Sequence, residues 1–300
     1  MRLSKAFTFT YVAVLALAMS LFASCSSGTS STKKTLAVSF APQAYLLKSL
    51  AGDRFDVKTI LPQGSDPETY DPGVGDLMAL QDSRCYFTLS TPGFEEKTLE
   101  RVRANFPDVD VSDVSVGIER ITGTHRSTHG GAHGDEGDPH LWGSVRNARL
   151  MADAMTGKLC EIDPEGTALY RHRNDSLQRV LSALDSRLDS IVRASGSKAF
   201  VMPHPSLSYF ARDYGLRQIA IGSDNKEMSA EAFRKKIDQA RNLGARTFII
   251  QPEFDQNRSA QVAAQAGTRT VSVNLLAYDW PEELKKVAEA ISHNAKTDNR

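Results

Sequence analysis

The sequence predicts an α/β protein of two lobes, each a mostly parallel sheet flanked by helices, joined by one long backbone helix. Three observations predict this fold. Short apolar runs alternate with helical patterns up to Leu89, the same alternation resumes after Lys198, and the strongest helical pattern lies between them. Such alternation is typical of βαβ units, which form parallel sheets.

The first lobe is expected over residues 35–160. Its strands are predicted at Thr35–Phe40, Phe55–Leu61 and Cys85–Leu89, and its helices at Pro42–Leu50 and Asp76–Leu80. Residues 119–137 are rich in polar residues and glycine, and their apolar residues do not recur at helical or strand spacing. This segment is therefore predicted to be a mobile loop within the first lobe.

The linking helix is expected within residues 161–195. Asp163 is predicted to cap it, Pro164 suits its first turn, and Gly196 follows its end. Its apolar residues recur at helical spacing: Leu177, Val180, Leu181, Leu184, Leu188, Ile191 and Val192.

The second lobe is expected over residues 196–293. Its predicted strands are Lys198–Met202, Gln218–Ile221, Thr247–Ile250 and Thr270–Val273. Helical patterns lie at Leu207–Tyr214, Ala230–Leu243, Gln256–Ala266 and Pro281–Ile291.

The first 25 residues resemble a bacterial lipoprotein signal. A short basic region precedes an apolar stretch from Ala6 to Phe22, and two small residues then precede Cys25. Phe22 departs from the aliphatic residue usual at its position, so an ordinary cleaved signal or an uncleaved anchor are the alternatives. We expect Cys25 to be lipidated, residues 26–34 to form a flexible tether, and the protein to be exported and anchored to a bacterial membrane.

Composition excludes some partners. The chain has 36 basic and 36 acidic residues and no long basic run, so nucleic acid is not expected to bind. Besides Cys25, only the isolated Cys85 and Cys160 are present, and no disulfide is predicted from them.

Four residues are candidates for metal binding. His140 follows Asp138-Pro139, and His204 lies between two prolines directly after a predicted strand. Glu68 and Asp279 lie in segments that also follow predicted strands. Ligands of open α/β sheets bind beyond the carboxyl ends of strands, and imidazole with carboxylate suits zinc, or manganese with more oxygen ligands.

The order of motifs resembles the metal-binding (zinc or manganese) solute-binding proteins of ABC transporters. The motifs are LPQGSDPETYDP, GDPHLW, a long helix introduced by Asp-Pro, VMPHPSLSYFARDYGL and IIQPEFDQ. The resemblance implies two α/β lobes with the metal between them. It also implies that His140 and His204 are ligands.

Two positions depart from that family's pattern. Glu68 stands where a histidine ligand is common, and Asn274 aligns with a carboxylate ligand. Asp279, five residues further on, is the expected fourth ligand instead. Glu253 matches a family position near the cleft and, like Asn274, is expected to support the ligands rather than bind the ion.

The resemblance favours zinc, because zinc-selective members often carry a histidine-rich loop before the ligand that His140 matches. His125, His129 and His133 occupy that segment and are expected to scavenge metal weakly. The expected partners are an ABC permease with its ATPase, and the chain is expected to be a monomer without catalytic activity.

Three alternatives stay open at this point. Mn²⁺ or Fe²⁺ is the alternative cargo, since Glu68 adds a hard oxygen. A zinc-dependent hydrolase is the second, provided that water completes the coordination, although no HExxH motif is present. The third is a lipoprotein that binds chelated iron or acts as an adhesin.

Overall fold

The computed structural model describes residues 34–122, 137–221, 229–253 and 256–292. The predicted signal with Cys25, most of the tether, and His125, His129 and His133 lie outside the described residues. Within the described ranges, no helix combines the length and the apolar character needed to cross a membrane.

The first sheet has four parallel strands in the order β2-β1-β3-β4. Its strands are β1 (Lys34–Val38), β2 (Phe55–Thr59), β3 (Cys85–Thr88) and β4 (Val111–Asp113). Its helices are α1 (Ala41–Ala51), α2 (Val74–Gln81) and α3 (Phe94–Asn105). Leu36 on β1 pairs with Val57 on one side and with Cys85 on the other, which places β1 inside the sheet.

The second sheet repeats this arrangement, with parallel strands in the order β6-β5-β7-β8. Its strands are β5 (Ala199–Met202), β6 (Arg217–Ala220), β7 (Thr247–Ile250) and β8 (Arg269–Ser272). The helices that follow them are α6 (Ser208–Asp213), α7 (Ala230–Asn242), α8 (Gln256–Ala266) and α9 (Trp280–Ser292).

Between the sheets, α4 (Val145–Ile162) leads through a 3-10 turn at Pro164–Gly166 into the linking helix α5 (Thr167–Ser195). At 1.5 Å per residue, α5 is roughly 44 Å long. Gly196 ends it in the left-handed conformation, with φ of 65°. The two parallel sheets and the long helix between them confirm the predicted fold class.

The buried face of α5 agrees with the predicted stripe at Leu177, Leu181, Leu184, Leu188 and Val192, but Val180 is 55% exposed. These side chains belong to a continuous apolar core that extends from β1 and α1 to β5, α6 and α9. A second, smaller core lies on the other side of the second sheet, around Val201, Phe248 and Ile250.

The predicted cap by Asp163 is wrong. The Asp163 side chain makes no capping hydrogen bond and instead accepts hydrogen bonds from Arg54, at 2.6 and 2.8 Å, and from Tyr170. A guanidinium and a phenol are stronger partners for a carboxylate than one backbone amide, so the side chain turns to the first lobe.

Three elements were not predicted. In α3, six of the twelve residues are charged, so its apolar residues do not stand out as a helical pattern in the sequence. The strand β4 has only three residues, which is too short for a recognisable pattern. The signal for α4 is present in the sequence, because its buried residues Val145, Ala148, Met151, Met155 and Leu159 recur at helical spacing.

Candidate metal centre

Glu68 lies on the loop between β2 and α2. Hydrogen bonds within this loop and from the start of α3 hold the loop in place. The Glu68 amide donates to Asp66 Oδ1 at 2.9 Å, and the Phe94 amide donates to the Pro67 carbonyl at 3.1 Å. Gly93 has φ of 92°, and a Cβ there would lie 2.7 Å from the Pro67 oxygen. Glycine therefore permits the close approach that positions Glu68.

A buried carboxylate stabilises the neighbouring loop between β3 and α3. Glu95 is fully buried and accepts hydrogen bonds from Thr88 Oγ1, the Leu89 amide and the Thr91 amide at 2.8–2.9 Å. Because these donors satisfy the carboxylate, the start of α3 is fixed against the Glu68 loop.

His140 lies on the connection from β4 to α4, just before a 3-10 turn at Leu141–Gly143. Asp138 Oδ1 lies 2.9 Å from both the backbone amide and Nδ1 of His140. Both residues are buried. A carboxylate at Nδ1 favours the tautomer that carries its proton there, which leaves the Nε2 lone pair for a metal. This role of Asp138 was not predicted from the sequence, although an acidic residue two positions before the histidine is a signal for it.

His204 follows β5, directly beyond the carboxyl end of that strand. In the order β6-β5-β7-β8, the chain passes from β5 to β6 on one side, while β7 lies on the other side of β5. The carboxyl ends of β5 and β7 therefore flank the topological switch point, where open α/β sheets bind ligands.

The structure brings Glu68, His140 and His204 together. His204 Nε2 lies 3.2 Å from His140 Nε2 and 3.1 Å from Glu68 Oε1, and the potential ligand atoms of the three residues all lie within 4.8 Å of one another. Two ligand atoms at the usual zinc distance and a tetrahedral angle are about 3.3 Å apart. The two separations at His204 Nε2 fit ligands of a single small cation.

Glu253, on the segment after β7, lines the same cavity. Its Oε2 is buried and has no hydrogen-bond partner within the described part of the chain. Burial raises the pKa of the Glu253 carboxyl above its usual range. A hydrogen bond from its own backbone amide opposes this shift, Asp66 raises the pKa further, and His204 lowers it. Glu253 was expected to support the ligands, and the structure places it in the wall of the same cavity but outside the group of three whose ligand atoms lie within 4.8 Å of one another. The other cavity residues are Asp66, Pro67, Trp142, Ser206, Gln251 and Leu276.

The structure does not bring Asp279 to this cluster. Asp279 is exposed just before α9, where its charge raises the pKa of Tyr45 on α1, although burial is the larger cause of that shift. Asn274 is half-buried, and its Oδ1 accepts a hydrogen bond from the Leu276 amide at 3.0 Å. Neither side chain is among those that line the cavity.

Comparisons with known proteins find metal-binding relatives over most of the chain. A putative metal-binding protein of Chlamydia trachomatis is 27% identical over 279 residues, covering 92% of this chain and 98% of that protein. The manganese-binding lipoprotein MntA of Halalkalibacterium halodurans is 24% identical over 236 residues, covering 77% of this chain and 75% of that one. This chain is also similar to a ZnuA deletion mutant whose crystal structure contains bound zinc. The two sequences are 30% identical, the TM-score is 0.79, and the alignment covers 87% of this chain and 97% of that chain.

Residues 36–297 match the family described as ZnuA, zinc-uptake complex component A, periplasmic. The match spans both sheets and the linking helix, and it confirms the resemblance that the sequence motifs indicated. The chain belongs to the ZnuA family of metal-binding periplasmic components of metal uptake.

Proposed function

We propose that this chain captures Zn²⁺ outside the cytoplasmic membrane and passes it to an ABC permease with its ATPase. Glu68, His140 and His204 are the proposed ligands. The observation that carries the proposal is the spacing of their ligand atoms, 3.1 and 3.2 Å around His204 Nε2, which fits a tetrahedral zinc site.

The donor chemistry supports a divalent transition metal. Imidazole nitrogen suits zinc, and the Asp138 carboxylate at His140 Nδ1 makes that imidazole a better donor. The Glu68 carboxylate is a harder oxygen donor and favours Mn²⁺ or Fe²⁺ more than a histidine would. Mn²⁺ is therefore the second candidate, and the manganese-binding relative MntA is consistent with it.

The transport role rests on the family and on the predicted anchor. In this proposal, lipidated Cys25 holds the protein at a bacterial membrane, where it binds the ion without catalysis and delivers it to the permease. The family match gives no support to the zinc-hydrolase alternative.

Metal analysis of the purified chain tests the proposal. We expect one divalent ion per chain after expression in medium that supplies zinc and manganese equally, with zinc in excess over manganese in the bound fraction. Native mass spectrometry distinguishes a bare ion from a chelate. A chain that carries a chelate, or no divalent ion, contradicts the proposal.

A further inference from the structure

We propose that the Glu253 carboxylate is the fourth protein ligand of the captured ion, in place of the exposed Asp279. This inference rests on the proposed function, because it assigns a residue to the same site. If Glu253 binds the ion, the site has four protein ligands. If it does not, the site has three protein ligands and water completes the coordination.

The topology places Glu253 at the same crevice as His204. Glu253 follows β7, and His204 follows β5, the neighbouring strand in the second sheet. Both segments start at carboxyl ends that flank the switch point, so they face the same crevice. Glu68 and His140 reach this crevice from the connections of the first lobe, so Glu253 would complete a site with two ligands from each lobe.

The burial of Glu253 requires an explanation. Its Oε2 has no hydrogen-bond partner within the described residues, although the atom is buried and lines the cavity with Glu68, His140 and His204. A buried carboxylate oxygen without a partner is costly, and such groups are normally paired or coordinate metals. Glu253 lies outside the group of three whose ligand atoms are within 4.8 Å of one another, so a cation at the cluster would satisfy this oxygen after the Glu253 side chain moves toward it.

The charge of the resulting site also fits a divalent ion. Two neutral imidazoles with the carboxylates of Glu68 and Glu253 carry a total charge of −2, which neutralises the cargo in a buried site. Asp279 cannot supply this charge from the geometry described, because it is exposed and absent from the cavity wall.

Competition titrations with zinc and with manganese test the assignment in the full chain, stripped of metal beforehand. The variants are Glu253→Gln, which keeps the size of the side chain, and Asp279→Asn as the matched control. We expect Glu253→Gln to weaken zinc binding more than about 100-fold, beyond the range typical of residues that only orient ligands. Asp279→Asn should change it less than about threefold. A loss of about 100-fold or less for Glu253→Gln, or a larger loss for Asp279→Asn, overturns the assignment.

A crystal structure of the zinc-loaded unsubstituted chain provides a test that needs no variant to fold. A Glu253 oxygen about 2.0–2.2 Å from zinc is expected. Water or Asp279 in that position overturns the proposal. If the unsubstituted chain binds zinc through His140 and His204 while Glu253→Gln binds equally well, only this inference fails. If the unsubstituted chain binds no divalent metal, the proposed function fails with it.

Discussion

The Nε2 atoms of His140 and His204 lie 3.2 Å apart, although 64 positions separate the two residues in the sequence. His140 precedes α4, and His204 follows the first strand of the second sheet, so α4 and the linking helix both lie between the two imidazoles in the sequence. A single ion held by both would connect the two lobes, and its binding free energy would stabilise the folded chain.

Glu68→His is expected to raise the preference for zinc over manganese by about tenfold, because a borderline nitrogen replaces a hard oxygen at the cluster. The measurement is the ratio of zinc to manganese affinities by competition titration. Glu96→His, an exposed substitution on α3, is the control and should leave the ratio unchanged. An unchanged ratio in Glu68→His would count against Glu68 as a ligand.

Asp138→Asn is expected to weaken zinc binding by about 10–100-fold. The substitution removes the negative charge at His140 Nδ1, which orients the imidazole and strengthens Nε2 as a donor. The affinity for zinc is the measurement, and exposed Asp108→Asn on the connection to β4 is the control. Equal affinities for the Asp138 variant and the unsubstituted chain would show that His140 needs no such support.

The fold was largely predictable from local patterns. Apart from the three-residue β4, the strands of both sheets are short apolar runs, and the linking helix has apolar residues at helical spacing, so the sequence alone indicates these elements. Val180 fits the helical stripe of α5 but is exposed. The spacing of apolar residues shows which side of a helix is buried, but it does not show how far around the helix the neighbouring elements cover it. The helix α4 was overlooked although its period is regular.

The site was predictable only in part. The histidines at 140 and 204 stand out through their proline neighbours, and Glu68 through its family position. Convergence of residues far apart in sequence depends on the topology of two sheets, which local patterns do not specify. Asp279 and Glu253 both follow predicted strands, and only the packed structure distinguishes the exposed carboxylate from the one that lines the cavity.

Leu181→Ala is expected to lower the free energy of unfolding by about 2–5 kcal/mol, because the side chain is fully buried in the core along α5. Val180→Ala is a matched control on the same helix, since Val180 is 55% exposed, and it should change stability by less than about 0.5 kcal/mol. Denaturant unfolding of the metal-free protein measures both. Similar losses in the two variants would contradict the described orientation of α5.

Asp163→Asn is expected to lower the Tm of the metal-free protein at neutral pH, with a difference that shrinks in acid. The Arg54 guanidinium lowers the pKa of the Asp163 carboxyl below its usual range. A carboxyl with a lowered folded-state pKa stabilises the protein above its unfolded pKa of about 4, and this contribution is lost as pH falls through the folded-state value.

Thermal unfolding of both proteins from pH 7 down to pH 3 measures the effect of Asp163→Asn. Asp189→Asn removes an exposed i,i+4 ion pair with Arg193 on α5 and should leave Tm unchanged throughout. A Tm difference for Asp163→Asn that grows toward acid pH would contradict the assigned sign.

The most direct test of the central claim is a zinc titration of the metal-free chain and of the double variant His140→Ala/His204→Ala, with His172→Ala as the control. His172 is an exposed histidine on α5, away from the cluster. We predict one high-affinity zinc site in the unsubstituted chain and in His172→Ala, and its loss in the double variant. Undiminished zinc binding in the double variant would contradict the account.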